Sequence, residues 1–166
     1  MRNRFFYSCF GNLFEHYDSA LSSFLTPLLA PFLFPHQDPV VALILAYGIQ
    51  PITMLARPLG AYSFGYIGDR YGRAQALFGA LCGLGVVSLL LACIPTYTQA
   101  GLFAPILFCA GRALQNFLVA GETMGGAVFL LEHPPEKTHD VWSSFYGASA
   151  LGGPPLAALG AFGIYY

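Results

Sequence analysis

The chain alternates long apolar runs with short polar segments. Residues 39–56 and 74–111 contain no charged side chain. A helix needs about 20 apolar residues to cross the hydrocarbon of a bilayer, and five segments reach that length. Proline-containing breaks at 35–39 and 95–99 and a polar loop at 132–140 separate them. We therefore predict an all-α, polytopic transmembrane helix bundle, a single domain over residues 1–166, with spans at about 6–34, 40–64, 74–94, 101–131 and 141–166.

A charged turn at residues 65–73 is predicted to join the second and third spans. Three charged residues and three glycines fall within it, between two uncharged runs. Such a turn must lie at the water boundary, because hydrocarbon solvates neither charges nor open backbone. The basic residues of the loops all fall on one side of the predicted bundle: Arg2 and Arg4 before span 1, the arginines of the turn, and Lys137. The positive-inside rule then predicts a cytoplasmic N-terminus.

The composition supports a membrane protein and argues against other classes. Hydrophobic residues make up 56% of the chain and charged residues 9%, whereas soluble domains carry about 25% charged residues. The net charge of −1 argues against a nucleic-acid partner. Four cysteines lie in apolar context at unrelated spacings and are predicted to be small buried hydrophobes. The sequence has no zinc-site spacing, nucleophile–base pattern or phosphate loop, so we expect no enzyme, cofactor or metal.

Five charged residues lie inside the predicted spans, where each costs at least ~2.5–3.5 kcal/mol at mid-bilayer unless it is paired or hydrated. They are Glu15, Asp18, Arg57, Arg112 and Glu122. Spans 1 and 4 hold four of them, and spans 3 and 5 hold none. We therefore expect spans 1 and 4 to face a polar interior. The acids in span 1 also argue against a cleaved signal peptide.

Helical periodicity gives each of these two spans a polar stripe. The stripe of span 1 contains Asn12, Glu15, His16, Ser19, Ser22 and Ser23, with Asp18 at its edge. The stripe of span 4 contains Arg112, Gln115, Asn116, Val119, Glu122 and Thr123. Two interpretations stay open: an ion pair that only holds helices together, and a proton or substrate relay. The pairs Gly79/Gly83 and Gly121/Gly125 are predicted to serve helix packing.

Three motifs resemble the major facilitator superfamily. Gly65-x-x-x-Asp69-Arg70-x-Gly72-Arg73 is similar to the loop between helices 2 and 3 of that superfamily, and Arg57-Pro58-x-Gly60 fits upstream of it. Two further motifs resemble helices 1 and 4 of the metabolite:proton symporter branch of that superfamily. This branch includes proline/betaine, dicarboxylate and citrate carriers. The two motifs are Gly11-Asn12-x-x-Glu15-x-Tyr17-Asp18 and Arg112-x-x-Gln115 followed by Gly121-Glu122.

The resemblance implies a twelve-helix carrier of two halves, with the substrate bound between them near the bilayer midplane. It implies a substrate and proton pathway at Glu15, Asp18, Arg112, Gln115 and Glu122. It implies a cytoplasmic gating loop at Gly65, Asp69, Arg70, Gly72 and Arg73, with Arg57 beside it. The expected function is proton-coupled symport of a small carboxylate or a zwitterionic osmolyte such as proline or betaine, across the inner (plasma) membrane.

Five spans fall short of such a carrier. We expect an N-terminal fragment that meets a separately encoded C-terminal half or self-associates in the membrane lipid. The alternative is a non-transporting membrane interaction or assembly protein, or an inert remnant of a carrier. His16, Ala74, Asn116 and Ala120 depart from the branch's usual residues and leave the substrate open.

Overall fold

The computed structural model describes residues 2–132 and 139–165, with the side chains of 9–123, 141 and 144–164. Most of the predicted 132–140 loop, Lys137 and Tyr166 lie outside the described residues, as do the side chains of Arg2 and Arg4. The described residues form seven helices. They are α1 (Arg2–Leu33), α2 (Pro39–Met54), α3 (Arg57–Tyr71), α4 (Arg73–Ala92), α5 (Tyr97–Ala100), α6 (Phe103–Glu132) and α7 (His139–Tyr165).

Within the described part of the chain, four segments are long and apolar enough to cross a membrane. They are Pro39–Tyr71, Arg73–Ala92, Phe103–Thr123 and Ser144–Ile164. Helix α1 is outside this set because its polar residues lower its hydropathy, although its 32 residues span about 48 Å. The predicted break at 95–99 is only partly right, since it contains the single helical turn α5.

The predicted charged turn is wrong, because α3 continues through residues 65–71. Glycine is well tolerated in membrane helices, so neither Gly65 nor Gly68 ends this one. Only Gly72 leaves the helix, with a φ of 104° between the end of α3 and the start of α4. Across it, Arg73 Nη2 lies 3.1 Å from Asp69 Oδ1.

The second predicted span is two helices rather than one. Proline lacks an N–H and its ring clashes with the carbonyl four residues earlier. For Pro58 that residue is Met54, where α2 ends. Leu55 and Ala56 instead donate to carbonyls three residues back, Ile52 and Thr53. Arg57 therefore begins a new helix in the middle of the segment.

The helices pack through small side chains and turn large apolar ones outward, as membrane helices do. Helix α6 is central and contacts each of the other helices, while α1 packs most extensively against α7. Alanine dominates the buried apolar set, which includes Ala30, Ala42, Ala46, Ala76, Ala80, Ala104, Ala120, Ala157 and Ala161. Two of the predicted packing glycines make contacts: Gly121 faces the Phe64 ring, and Gly83 faces Leu118.

Two expectations about small residues are corrected. Gly79 faces open space on the outer side of α4, so it packs against no described helix, and the contact surface of Gly125 is outside the described side chains. The four cysteines are free thiols, but Cys82 and Cys93 are exposed and the other two are half-buried. A thiol is apolar enough to lie on the outer surface of a membrane helix, which hydrophobicity alone does not distinguish from a buried position.

Candidate functional site

A cavity of about 50 Å³ lies among α1, α2, α3, α4 and α6. Polar and charged side chains form most of its wall, and Met54, Leu84 and Val119 complete it. A buried water needs roughly 10–15 Å³ of such space, so the cavity has room for a few waters. Its wall includes Glu15 and Asp18 of α1 with Arg112 and Gln115 of α6. The two predicted polar stripes therefore face one shared interior.

The first polar network in the cavity is centred on Gln115, which is 4% exposed. Its Nε2 donates to Asp18 Oδ2 and to Ser88 Oγ, both at 3.0 Å, while its Oε1 accepts from Arg112 Nη1 at 2.7 Å. Arg112 Nη1 lies 3.8 Å from Asp18 Oδ2. Since a direct charge-assisted hydrogen bond is about 2.7–2.9 Å long, the amide bridges a carboxylate and a guanidinium that do not bond directly. The network ties α1, α4 and α6 together.

The second network joins α1, α2, α3 and α6 through Arg57. Its Nε donates to Asn116 Oδ1 at 3.0 Å, and its Nη2 lies 3.9 Å from Glu15 Oε1. The Asn116 amide donates in turn to Thr53 Oγ1 at 3.2 Å and to the Arg112 carbonyl at 3.1 Å. The other oxygen of Glu15 accepts from Thr123 Oγ1 at 3.1 Å. Each carboxylate of the cavity thus has its own arginine.

Glu122 lies apart from the cavity wall. It is 4% exposed, and neither carboxylate oxygen has a hydrogen-bond partner among the described residues. Its side chain points at α1, where a Cβ added to Gly11 would lie 2.5 Å from Glu122 Oε1. Gly11 therefore leaves room for the end of the flexible Glu122 side chain at the α1–α6 contact.

The expected gating residues lie away from the cavity, at the C-terminal end of α3 and the start of α4. They are Gly65, Asp69, Arg70, Gly72 and Arg73. Arg70 donates there to Tyr66 Oη at 2.7 Å. Arg57 does not belong with this group, because it lies twelve residues from Asp69, about 18 Å along the helix, and lines the cavity.

Several cavity residues were missed by sequence reasoning. Gln50 and Thr53 line the cavity, and Ser88 joins the first network. The spacing of Gln50, Thr53 and Arg57, three and then four residues, places them on one helical face and could have identified them. The isolated Ser88 in an apolar helix gave no comparable signal. Among the described residues, no group of three or more His, Cys, Asp or Glu side chains could hold a metal ion.

Comparison with known proteins connects this architecture to transporters. A family model described as "Sugar (and other) transporter" matches residues 5–166. The chain is 32% identical over 148 residues to a glycine betaine/proline/ectoine/pipecolic acid transporter of Dickeya dadantii. It is 31% identical over 148 residues to a proline/betaine transporter of Escherichia coli K12, and 32% identical over 149 residues to an alpha-ketoglutarate permease of the same strain.

The matches to the Dickeya transporter and to the proline/betaine transporter each cover 89% of this chain and 30% of the relative. The match to the permease covers 90% of this chain and 34% of the relative. The chain therefore spans about a third of the length of the curated relatives it matches. No solved structure matches the chain.

Proposed function

Because the chain belongs to the sugar (and other) transporter family of the major facilitator superfamily, we propose that it supplies cavity-lining helices of a secondary active carrier. The carrier moves a small carboxylate or a zwitterionic osmolyte such as proline or betaine together with a proton. Substrate enters between this helix bundle and further helices that complete the carrier. The apolar helices and the family make it a multi-pass membrane protein. We propose the inner (plasma) membrane and a cytoplasmic N-terminus.

The observation that carries this proposal is the bridged Asp18–Arg112 pair in the wall of a cavity within the helix bundle. Charges at membrane depth are expensive and are retained mainly where they face water, a partner or a transported ion. An ion pair that only held helices together would be stabilised by direct contact and burial. Here the two charges are 3.8 Å apart, and the Asp18 side chain is 48% exposed. This arrangement favours the relay over the structural ion pair.

The bridge provides a route for coupling. A proton that reaches Asp18 from the cavity neutralises the carboxylate and removes its attraction for Arg112. Gln115 contacts both groups, so it transmits the change between α1 and α6 and keeps each group oriented. Loss of the attraction loosens the α1–α6 contact in one protonation state only, so protonation changes the cavity face that this bundle presents to the rest of the carrier. We assign Glu15 and Glu122 to the same pathway, with Glu122 one layer outside the cavity wall.

The substrate class is inferred from the relatives and the cavity charges. The relatives' names refer to proline, betaine, ectoine, pipecolic acid and alpha-ketoglutarate, and each of these is a small molecule that carries a carboxylate. The cavity offers two guanidinium groups and two carboxylates, which suits small molecules with separated charges. We also propose that the Asp69–Arg73 pair forms the cytoplasmic gate between α3 and α4.

Reconstitution tests the proposal directly. The chain is inserted into liposomes, alone and with the product of any adjoining reading frame, and uptake of radiolabelled betaine, proline and alpha-ketoglutarate is driven by an imposed pH gradient. We expect uptake that a protonophore abolishes, and Asp18→Asn should abolish pH-driven uptake without reducing insertion. Uptake no greater than in empty liposomes for both preparations would favour a non-transporting membrane protein instead.

A further inference from the structure

Arg57 lines the cavity and lies at a break between two helices. Pro58 ends α2 at Met54 and restarts the helix at Arg57. The Arg57 guanidinium lies against α6, where its Nε donates to Asn116 Oδ1 at 3.0 Å. The Asn116 amide is itself fixed by its bonds to Thr53 and to the Arg112 carbonyl. An oriented amide thus holds the Arg57 side chain in place.

The charge of Arg57 is only weakly satisfied by the protein. Its closest carboxylate oxygen, Glu15 Oε1, is 3.9 Å from Nη2, well beyond the 2.7–2.9 Å of a charge-assisted hydrogen bond. The Arg57 side chain is 38% exposed, whereas that of Glu15 is 5% exposed. Arginine presents a planar fork of donors that matches a carboxylate in two parallel bonds. The outer edge of this fork is open to the cavity.

The second cavity arginine is more fully engaged. Arg112 bonds Gln115 at 2.7 Å, lies 3.8 Å from Asp18, and is 18% exposed. Its guanidinium also lies over the Phe108 ring at 5.5 Å. Of the two guanidinium groups, Arg57 is the one that an entering carboxylate reaches with fewer contacts to displace.

We infer that Arg57 binds the carboxylate of the substrate, that Asn116 is its positioning residue, and that the carboxylates of Glu15 and Asp18 face the substrate's cationic end. The inference rests on the proposed function. The charges on the cavity wall, Arg57, Arg112, Glu15 and Asp18, sum to zero. A zwitterion of zero net charge therefore enters without leaving an unbalanced charge at membrane depth, whereas a dianion leaves two. The cavity accordingly favours zwitterions over dicarboxylates.

Direct binding of two probes tests the inference. Glycine betaine and choline share a trimethylammonium group, but only betaine has a carboxylate. Their affinities, and that of alpha-ketoglutarate, are measured by isothermal titration calorimetry in lipid nanodiscs, on the purified chain alone and together with the product of any adjoining reading frame. Arg57→Gln should weaken betaine binding about ten- to a hundredfold, the effect of losing a charge-assisted pair. It should not weaken choline binding, because the variant wall carries a net negative charge that attracts a cation. Arg57→Lys should recover part of the loss, because it restores the charge without the fork.

Two further variants separate positioning from general damage. Asn116→Ala should lower the betaine-to-choline affinity ratio by less than Arg57→Gln does, since the guanidinium remains but loses its orientation. Ser63→Ala is the matched control on α3, because Ser63 bonds only its own helix at Leu59 and lies outside the cavity wall. Its affinity ratio should equal that of the wild type.

The outcomes are distinguishable. An unchanged affinity ratio in Arg57→Gln, with measurable betaine binding in the wild type, overturns the inference and leaves the proposed function intact. Equal losses of betaine and choline binding also overturn it, because they indicate general damage rather than lost carboxylate recognition. Tighter binding of alpha-ketoglutarate than of betaine overturns the preference for zwitterions. A wild-type chain that binds neither betaine, choline nor alpha-ketoglutarate, alone or together with the product of any adjoining reading frame, contradicts the proposed function itself.

Discussion

The crossing of α3 and α6 depends on the absence of a side chain at position 60. A Cβ built on Gly60 would collide with the backbone carbonyl of Phe117, lying 2.8 Å from its carbon and 3.0 Å from its Cα, while its oxygen is closer still. Optimal carbon–carbon contacts are about 3.5–4.0 Å. Backbone atoms cannot rotate away as a flexible side chain can. In Gly60→Ala the two helices must therefore separate by roughly 1 Å or more, the distance that the carbonyl oxygen requires.

The cost follows from the contacts at that crossing. A gap of 0.5–1 Å forfeits about a quarter to a half of the dispersion energy of each contact. Those contacts include the Phe64 and Phe117 rings, whose centroids are 5.7 Å apart, and the packing of Phe64 on Gly121. Overpacking of this kind costs about 1–3 kcal/mol, while replacing a helical glycine by alanine returns about 0.5–1 kcal/mol. We expect Gly60→Ala to lose up to about 2.5 kcal/mol of stability.

Gly79→Ala is the matched control. Gly79 is also helical, but nothing lies within 4 Å of a Cβ built on it, so only the gain of about 0.5–1 kcal/mol remains. Unfolding of both variants is followed by intrinsic fluorescence during SDS titration in mixed micelles. The helical gain is common to both variants, so their stabilities should differ by the overpacking cost alone, about 1–3 kcal/mol. A Gly60→Ala chain as stable as Gly79→Ala would refute the close crossing of α3 and α6.

The remaining predictions concern residues assigned to gating and coupling. Asp69→Asn should slow uptake more than it weakens substrate binding, because the Asp69–Arg73 pair lies at the end of α3 away from the cavity. The turnover rate and the substrate Kd are compared, and equal losses of turnover and affinity would argue against a gate. Glu122→Gln should abolish pH-driven uptake while membrane insertion is retained, and undiminished uptake in liposomes would remove Glu122 from the pathway. Gly11→Ala should cost less than ~1 kcal/mol in the SDS titration, because the atom that it meets is the end of the flexible Glu122 side chain; a loss as large as that of Gly60→Ala would contradict this.

The sequence by itself determined the class of protein and most of its long helices. Hydropathy and proline positions are local properties, so they predicted a polytopic helix bundle and the break before Pro39. The period of the polar residues predicted that the first and fourth spans face one interior. Both conclusions depend only on which side chains share a helix face and on the cost of placing charge in hydrocarbon.

The tertiary structure decided which groups meet. Sequence spacing fixes the face of a helix but not its neighbour. It therefore left open that Asp18 meets Arg112 through Gln115, and it grouped Arg57 with the gating residues, whereas Arg57 lies in the cavity wall. It also predicted a turn at residues 65–73, although the glycines there continue the helix up to Gly72. The same ambiguity affects glycine, because Gly60 and Gly79 are equally small, yet only the first lies under another backbone. Contacts between helices depend on crossing angles and on the atoms of a distant segment, and no local pattern of residues encodes these.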